Sequence, residues 1–376
     1  MRRASDGERR RLNETFQALC RIESPSRHER ACADRVAGEL RSLGLEVEED
    51  DAGPRVASTA GNLLTRIAGR SETSILLCAH LDTVPLTAPV EPVVVDGGWE
   101  NANDGILGAD NKSAVAILIE LARRLVANPP EVGVELLFTV CEEISLRGSK
   151  EFDAEKLRSS FGYVFDHATP IGEIVLASPS HQRLIAEMQG RAAHAGVRPE
   201  AGRSAIASVA QAVAAMRLGR LDHETTANVG TIAGGTAINV IPERCRIEGE
   251  VRSVDEQKLQ TALTEMIDRL QDAANTSECY LYVTVERMFD GYKTSPRAPQ
   301  VMLAERALRA CGYEPSHIAT GGASDANALN AAGFDCVNLA DGSERNHQPD
   351  ERISIDALEG MFDVAIALVE EAGNGI

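Results

Sequence analysis

Short apolar runs that each end in acidic or imidazole side chains are the feature that most constrains how this chain can fold. The run at 75–77 leads to His80 and Asp82, the run at 132–140 leads to two adjacent glutamates, and the run at 163–165 leads to an aspartate. Runs of this length are too short for helices and predict buried strands. His80 and Asp82 are separated by one residue, so they face the same side of an extended chain, where a carboxylate can orient an imidazole.

Segments with helical periodicity alternate with these strands, which predicts an α/β layer with a largely parallel sheet flanked by helices. The predicted helices are 8–22, 26–43, 113–126, 299–311, 325–332 and 355–371. The predicted strands are 62–68, the strand that carries His80, 132–140, 163–165 and 336–339, and residues 97–104 are predicted to form a loop. Ligands of such sheets gather at the carboxyl ends of the strands, so a site is expected there.

The alternation of single strands and helices ends at Ser178-Pro179-Ser180. The next segment has the order β-α-β-β-α-β, which is the ferredoxin-like split unit. Its predicted strands are 184–194, 226–232, 244–252 and 280–288, and its predicted helices are 204–216 and 256–274. We therefore expect a discontinuous catalytic domain, 1–180 and 294–376, with an inserted α+β domain at 181–293.

Composition excludes several classes of protein. A length of 376 residues exceeds what one core usually serves, so two domains are expected. The net charge of −19 argues against nucleic acid as a partner. The eight cysteines have no metal-ribbon spacing and fit a reducing cytoplasm. No signal peptide and no apolar run long enough for a membrane span is seen, so no membrane partner is expected.

Six residues near the predicted strand ends and in a late loop could hold or serve divalent cations. They are His80, Asp110, Glu142, Glu143, Asp166 and His347. Carboxylate and imidazole groups on a rigid frame suit a hard or borderline metal ion. Each residue alone also has an ordinary explanation, such as a helix N-cap for an aspartate or a charged strand end for the glutamate pair. Together, at successive strand ends, they predict a site.

These residues and the motifs around them resemble a known family, the co-catalytic zinc aminoacylases and peptidases, which includes peptidase T. The resemblance covers nearly the whole chain, is closest to peptidase T-like members, and is carried by HLDTVP, GADNKSAVA, CEEISLRGSK, VFDHATP, the histidine of RAAHAG and His347. It implies two zinc ions per subunit, with cobalt or manganese as alternatives. Asp110 would bridge the ions, His80 and Asp166 would complete one shell, and Glu143 with His347 would complete the other.

The resemblance also implies roles for residues that do not bind metal. Glu142 would be the general base that takes a proton from a metal-bridging water. Asp82 would orient His80, and the bond between Asp110 and Asn111 is expected to be cis.

Four further residues look like the family's substrate contacts. His194 would stabilise the oxyanion, while Asn239, Arg252 and Ser324 would line the substrate site. From the residues alone, His194 could be a polar strand end, Asn239 a turn residue, Arg252 a solvated strand end and Ser324 a helix cap.

The resulting prediction is a two-zinc hydrolase of short peptides. Aspartate at position 166 is typical of family members that act on free amino ends, which favours a peptidase T-like aminopeptidase. An amidohydrolase of N-acyl amino acids or other small amides is the alternative with the same chemistry. A catalytically silent zinc protein would lack a ligand or the base, and none is missing. Pairing of two subunits through the inserted domain is a further hypothesis.

Overall fold

A computed structural model of the chain describes residues 3–375. Its α-helices are α1 (Asp6–Cys20), α2 (Arg30–Ser42), α3 (Ala52–Val56), α4 (Ala109–Ala127), α5 (Arg147–Glu151), α6 (Ala205–Ala215), α7 (Glu256–Thr276), α8 (Pro299–Cys311), α9 (Asp325–Ala331) and α10 (Ile355–Gly373). The strands in the first half of the chain are β1 (Val47–Glu49), β2 (Leu63–Ile67), β3 (Ser74–His80), β4 (Pro92–Val95), β5 (Gly98–Asn101), β6 (Gly133–Thr139), β7 (Gly162–His167) and β8 (Glu173–Ser178). The remaining strands are β9 (Ser180–Gln189), β10 (Gly219–Arg220), β11 (Thr225–Gly234), β12 (Arg244–Ser253), β13 (Tyr280–Phe289), β14 (Tyr292–Lys293), β15 (Ser316–Ala319), β16 (Cys336–Ala340), β17 (Ser343–Glu344) and β18 (Arg352–Ser354).

The chain divides into two units, each with its own apolar core. The first unit comprises Met1–Leu176, Thr294–Ala319 and Ala323–Ile376, and the second comprises Ala177–Lys293 and Thr320–Gly322. An insertion at 181–293 was expected from the sequence. The second unit begins a few residues earlier, because the end of β8 and strand β14 pair with each other.

The first unit is built on a mixed sheet whose centre is parallel. The order is β1-β2-β6-β3-β7-β16-β8, with β15 also paired to β8. Strand β3 runs parallel to β6 and β7, and β16 runs parallel to β7. The outer pairs β1 with β2, β2 with β6, and β16 with β8 are antiparallel. The predicted α/β class is confirmed, and antiparallel strands are found outside the parallel centre.

Helix α4 is the central packing element of this unit. Fifteen of its residues are buried. From 114 to 122 its sequence is apolar except for Glu120, as expected for a helix enclosed by other elements. It packs on β3 and on helices α1, α2 and α10. The start of the helix is therefore held rigidly beside the carboxyl end of β3.

The second unit is an antiparallel sheet of order β10-β11-β12-β9-β13, with α6 and α7 packed on it. Along β9 and β12, buried and less buried residues alternate, as expected for a sheet with one covered face. The predicted β-α-β-β-α-β order is confirmed, with the two-residue strand β10 added.

Some predicted boundaries were wrong. Helix α1 begins at Asp6 rather than at 8, because Ser5 and Glu8 form a reciprocal capping box. Helix α2 begins at Arg30 rather than at 26. The predicted loop at 97–104 is partly a strand, since β5 pairs with β4 and β18 in a small separate sheet. Within the described residues, no helix has both the length and the apolar character needed to cross a membrane.

Candidate metal centre

The parallel strands bring several polar side chains to one edge of the sheet. Strand β3 ends at His80, and Asp166 is the penultimate residue of its parallel neighbour β7. Strand β6, on the other side of β3, ends three residues before Glu142. Because all three strands point the same way, their carboxyl ends lie side by side.

One group of potential metal ligands consists of His80, Asp110 and Asp166. Each offers a ligand atom, and these atoms lie within 4.8 Å of one another. The Nε2 atom of His80 is 3.0 Å from Oδ1 of Asp110 and 3.9 Å from Oδ1 of Asp166. The peptide bond between Asp110 and Asn111 is cis, as expected.

A second group consists of Asp110, Glu143 and His347, again with ligand atoms within 4.8 Å of one another. The Nε2 atom of His347 is 2.9 Å from Oε2 of Glu143 and 3.3 Å from Oδ2 of Asp110. Asp110 thus belongs to both groups and uses a different oxygen in each. The structure therefore brings together all five residues that the sequence suggested as metal ligands.

The electrostatics of this cluster fit bound cations. Burial raises the pKa of Asp166 well above its ordinary value, and the neighbouring carboxylates of Asp110 and Glu142 raise it further. Hydrogen bonds with Asp110 and Glu143 raise the pKa of His347 to about 10. With all of its carboxyl groups ionised, this cluster would carry more negative charge than two imidazoles can balance. The raised pKa values express that cost, and divalent cations would balance the charge in place of protons. Imidazole nitrogens and carboxylate oxygens are suitable donors for zinc, manganese or cobalt.

Glu142 lies beside the two ligand groups without belonging to either. Its side chain is buried, and burial raises its pKa well above the ordinary value of 4.5; the carboxylates of Asp325, Glu143 and Asp82 act in the same direction, and His80 opposes them. A carboxyl group with a raised pKa holds a proton more readily than an exposed glutamate does. This is the protonation behaviour that a group exchanging protons with substrate needs.

Asp82 holds the backbone that carries the two glutamates. Its Oδ1 atom accepts the main-chain N–H of Glu142 at 3.0 Å, and its Oδ2 atom accepts that of Glu143 at 3.2 Å. The predicted contact to His80 has a different form. The Nδ1 atom of that ring is 2.9 Å from the main-chain carbonyl of Asp82 and 3.5 Å from its carboxylate.

Two asparagines that hydrogen-bond to members of this cluster were not predicted from the sequence. Asn346 donates from Nδ2 to Oδ2 of Asp110 at 2.8 Å. Asn338 forms two hydrogen bonds with the main chain of Asp166, at 3.0 and 2.6 Å. Asn346 directly precedes the predicted ligand His347, and this position could have marked it as a supporting residue. Asn338 lies inside an apolar strand far along the chain and carried no signal.

Two predicted substrate residues lie on adjoining loops of the second unit. The N–H of Ala195 donates to the main-chain carbonyl of Asn239 at 2.9 Å, and His194 forms a backbone bridge with Val240. The ring of His194 is exposed, and its Nδ1 atom accepts the N–H of Gly196 at 3.2 Å. A neutral ring with Nδ1 as acceptor carries its proton on Nε2 and can donate from there.

Arg252, the third such residue, already has partners within the second unit. Its guanidinium donates to Oε2 of Glu250 at 3.1 Å and to the main-chain carbonyl of Gly321 at 3.3 Å. Its Cζ atom lies 5.9 Å from the centre of the Phe289 ring. A substrate carboxylate bound at Nη2 of this guanidinium would compete with Glu250 for its N–H groups.

Ser324 is buried and caps helix α9. Its hydroxyl accepts the N–H of Ala326 at 3.3 Å, and its own N–H donates to the side chain of Asn327 at 3.2 Å. The capping role that the sequence left open is therefore the one that the side-chain contacts show.

Comparisons with known proteins agree with this geometry. A family model described as the peptidase dimerisation domain matches residues 180–278, and a model described as M42 glutamyl aminopeptidase matches residues 86–173. The chain is 35% identical over 366 residues to the uncharacterized protein YqjE of Bacillus subtilis strain 168, covering 96% of this chain and 98% of that protein.

Two solved structures are similar over almost their whole length. One is aminopeptidase PepT from Bacillus cereus ATCC 10987, with 34% identity, a TM-score of 0.89, and coverage of 96% of this chain and 98% of that chain. The other is a tripeptidase from Staphylococcus aureus subsp. aureus Mu50, with 31% identity, a TM-score of 0.93, and coverage of 98% and 99%. The chain belongs to the M20 family of metallopeptidases and is a hydrolase similar to peptidase T-type aminopeptidases.

Proposed function

We propose that this metallopeptidase is a two-zinc aminopeptidase that removes the amino-terminal residue from short peptides, above all tripeptides. The observation that carries the proposal is the sharing of Asp110 by two ligand groups, with Glu142 buried beside them. The similar solved structures are described as an aminopeptidase and a tripeptidase, which supports this substrate class.

The ligand sets of the two proposed ions follow from the two groups. One ion would be held by His80, Asp110 and Asp166, and the other by Asp110, Glu143 and His347. When bound, a pair of zinc ions polarises the scissile carbonyl and acidifies water. Nitrogen and oxygen donors without thiolates also admit cobalt or manganese, so zinc is proposed from the family and from this donor chemistry.

Glu142 is proposed as the general base of the reaction. Its carboxylate would take a proton from the attacking water and deliver that proton to the leaving amine. The hydrogen bonds that the main-chain N–H groups of Glu142 and Glu143 donate to the Asp82 carboxylate hold this backbone. One side chain can then bind metal while its neighbour stays free for proton transfer.

The second unit carries the proposed substrate contacts. His194 would donate from Nε2 to the carbonyl oxygen as negative charge develops there, which is the role of an oxyanion-stabilising group. The hydrogen bond from Gly196 to Nδ1 supports this, because it leaves the proton on the other ring nitrogen. Asn239 and Arg252 are proposed to contact the peptide backbone or its carboxylate, while Ser324 would act only through the position of α9.

The second unit is also the proposed site of homodimer formation. The dimerisation-domain match covers most of it, and β13 is an edge strand of its sheet. The side chains of Tyr280 and Tyr282 on this strand are largely exposed. Light scattering should give a dimer mass at micromolar concentration, and a monomer mass would contradict the proposal.

A cytoplasmic location is proposed from the cysteines. None of the described cysteines forms a disulfide in the structure, a state that a reducing compartment maintains. Fractionation of cells that produce the protein would test this, and recovery outside the cytoplasm would refute it.

A substrate panel tests the proposed activity. Zinc-loaded protein should cleave tripeptides with a free amino end, and it should leave their N-acetylated forms and N-acetyl amino acids intact. The variant Glu142→Gln, prepared in the same way, controls for contaminating peptidases. Cleavage of the acylated amino acids alone would replace the proposal with the amidohydrolase alternative.

A further inference from the structure

Glu351 is a buried carboxylate whose hydrogen bonds all go to one turn of the backbone. Its residue is 2% exposed. Its Oε2 atom accepts the main-chain N–H groups of Leu107 and Gly108 at 2.9 and 2.8 Å, and its Oε1 atom accepts that of Asp110 at 2.9 Å. The partners are more than 240 positions away in the sequence. A carboxylate that accepts three N–H groups from one turn restricts the position of that turn strongly.

The turn and the segment that carries Glu351 both lead to the metal centre. The turn ends at Asp110, which belongs to both ligand groups, and His347 lies four residues before Glu351 in the sequence. Asp110 and His347 are 3.3 Å apart at their nearest ligand atoms. Besides the hydrogen bond from Asn346 to Asp110, Glu351 therefore forms a further connection between two segments that must bring their ligands to the same ion.

A purely structural explanation also exists for this carboxylate. The turn opens helix α4, and an anion near a helix N-terminus is stabilised by the helix dipole and by N–H groups without helical partners. A cap of this kind would stabilise the folded chain whether or not metal is bound. It would not by itself change the affinity of the folded protein for metal.

We propose that Glu351 is a positioning residue for the metal centre, which holds the Asp110 turn against the His347 segment and so raises the affinity for the ion that these two residues share. The inference rests on the proposed two-ion centre. Supporting partners of metal ligands commonly change metal affinity by about 10- to 100-fold when they are removed. The effect is expected mainly on one ion, because His80 and Asp166 are not attached to the Glu351 segment by these bonds.

The substitution Glu351→Gln keeps the size of the side chain but replaces one acceptor oxygen with an N–H₂ donor. Either the bond to Asp110 or the pair of bonds to Leu107 and Gly108 is then lost. Glu351→Ala removes all three bonds. Should the alanine variant fail to fold, the glutamine variant still supplies the comparison.

Glu135 offers a matched control. It is also 2% exposed and accepts two main-chain N–H groups, from Arg158 and Ser159, each at 2.8 Å. It pairs with Leu76 in the sheet, four residues before the end of β3, and so lies about 13 Å along the strand from His80. Glu135→Gln thus disturbs a comparable buried carboxylate away from the ligands.

The test measures zinc binding to metal-depleted protein by competition with a chromophoric chelator, together with the melting temperature of the metal-free form. We expect Glu135→Gln to bind two ions, each with the affinity that the wild type has for it. Glu351→Gln should bind one of the two ions about 10- to 100-fold more weakly than the wild type does. A Glu351→Gln variant that melts lower but binds both ions as wild type does would show a helix cap only and overturn the inference. Failure of the wild type to bind two ions would instead refute the two-ion centre on which the inference rests.

Discussion

The carboxylate of Asp82 accepts the main-chain N–H of Glu142 at 3.0 Å. The same carboxylate accepts the next N–H along the chain, that of Glu143, at 3.2 Å. A residue two positions beyond a predicted metal ligand thus holds the backbone of both the proposed base and a proposed ligand, which follow the end of another strand. Its contribution goes through the backbone of these residues, which a side-chain motif does not reveal.

Asp82→Ala should remove the buried carboxylate that accepts those two N–H groups. Displacement of Glu142 and Glu143 should then lower kcat by about 10- to 100-fold, as is common for residues that support a metal site. Steady-state kinetics on a tripeptide would measure this. Ser26→Ala is the control, because it removes only the 2.6 Å hydroxyl contact to the same carboxylate. Wild-type kcat in Asp82→Ala would contradict the positioning role.

Glu142→Gln should lose turnover while the metal content is retained. The amide cannot accept a proton from water, and loss of a general base costs about 10²- to 10⁴-fold in rate. Kinetics together with metal analysis by emission spectroscopy would measure both properties. Glu143→Gln serves as the comparison, since a weakened ligand should reduce metal content as well as rate. Unchanged turnover in Glu142→Gln would remove the base assignment.

The shared ligand predicts a graded loss of metal. His347→Ala should retain one tightly bound ion, because His80, Asp110 and Asp166 remain, whereas Asp110→Ala should retain neither. Metal analysis after dialysis would give these ratios. Removal of metal from the wild type by a chelator should also lower the melting temperature, since a ligand bound only by the folded state stabilises it. Equal metal content in both variants would argue against a bridging Asp110.

Ser324→Ala should lower stability without a large change in KM. Loss of a serine N-cap costs about 1 kcal/mol, and the hydroxyl is buried against the start of α9. Urea unfolding and steady-state kinetics would measure the two effects. Ser204→Ala, which removes the cap of α6 in the second unit, is the matched control. A raised KM at wild-type stability would favour the substrate contact that the sequence suggested.

Asp341 should make the stability of the metal-free protein depend on pH. Burial raises the pKa of this carboxyl from 3.8 to about 7, although hydrogen bonds from Ser343 and Ser113 oppose the shift. The folded state then binds more protons than the unfolded state between these values. The contribution of Asp341 to the free energy of unfolding is most favourable below pH 3.8 and is lost as the pH rises through 7.

The free energy of unfolding should therefore fall with rising pH by up to about 4 kcal/mol from this group alone. This contribution to the slope should be absent in Asp341→Asn, so the difference in stability between variant and wild type should shift in favour of the variant from pH 5 to pH 8. Urea unfolding at several pH values would measure it, with Asp34→Asn as an exposed control. Parallel pH profiles of wild type and Asp341→Asn would contradict the prediction.

The sequence by itself determined the main helices and strands and the strand ends that carry the polar side chains of the site. Short apolar runs ending in His80, Glu142 and Asp166 were enough to predict parallel strands, because strand length and polarity are local properties of the chain. The order β-α-β-β-α-β was also readable, since hydrophobic period changes between strands and helices. The ligand set itself came from the resemblance to a family.

Only the tertiary structure decided which groups support that set. Hydrogen bonds between Glu351 and the main chain of Asp110, between Asn346 and Asp110, and between Asn338 and Asp166 each join positions 172 or more residues apart. Such contacts depend on how the elements pack. A main-chain N–H can donate to any carboxylate that packing brings near it, so no local pattern marks these contacts. The partners of Arg252 and the pairing of β5 with β18 were hidden for the same reason.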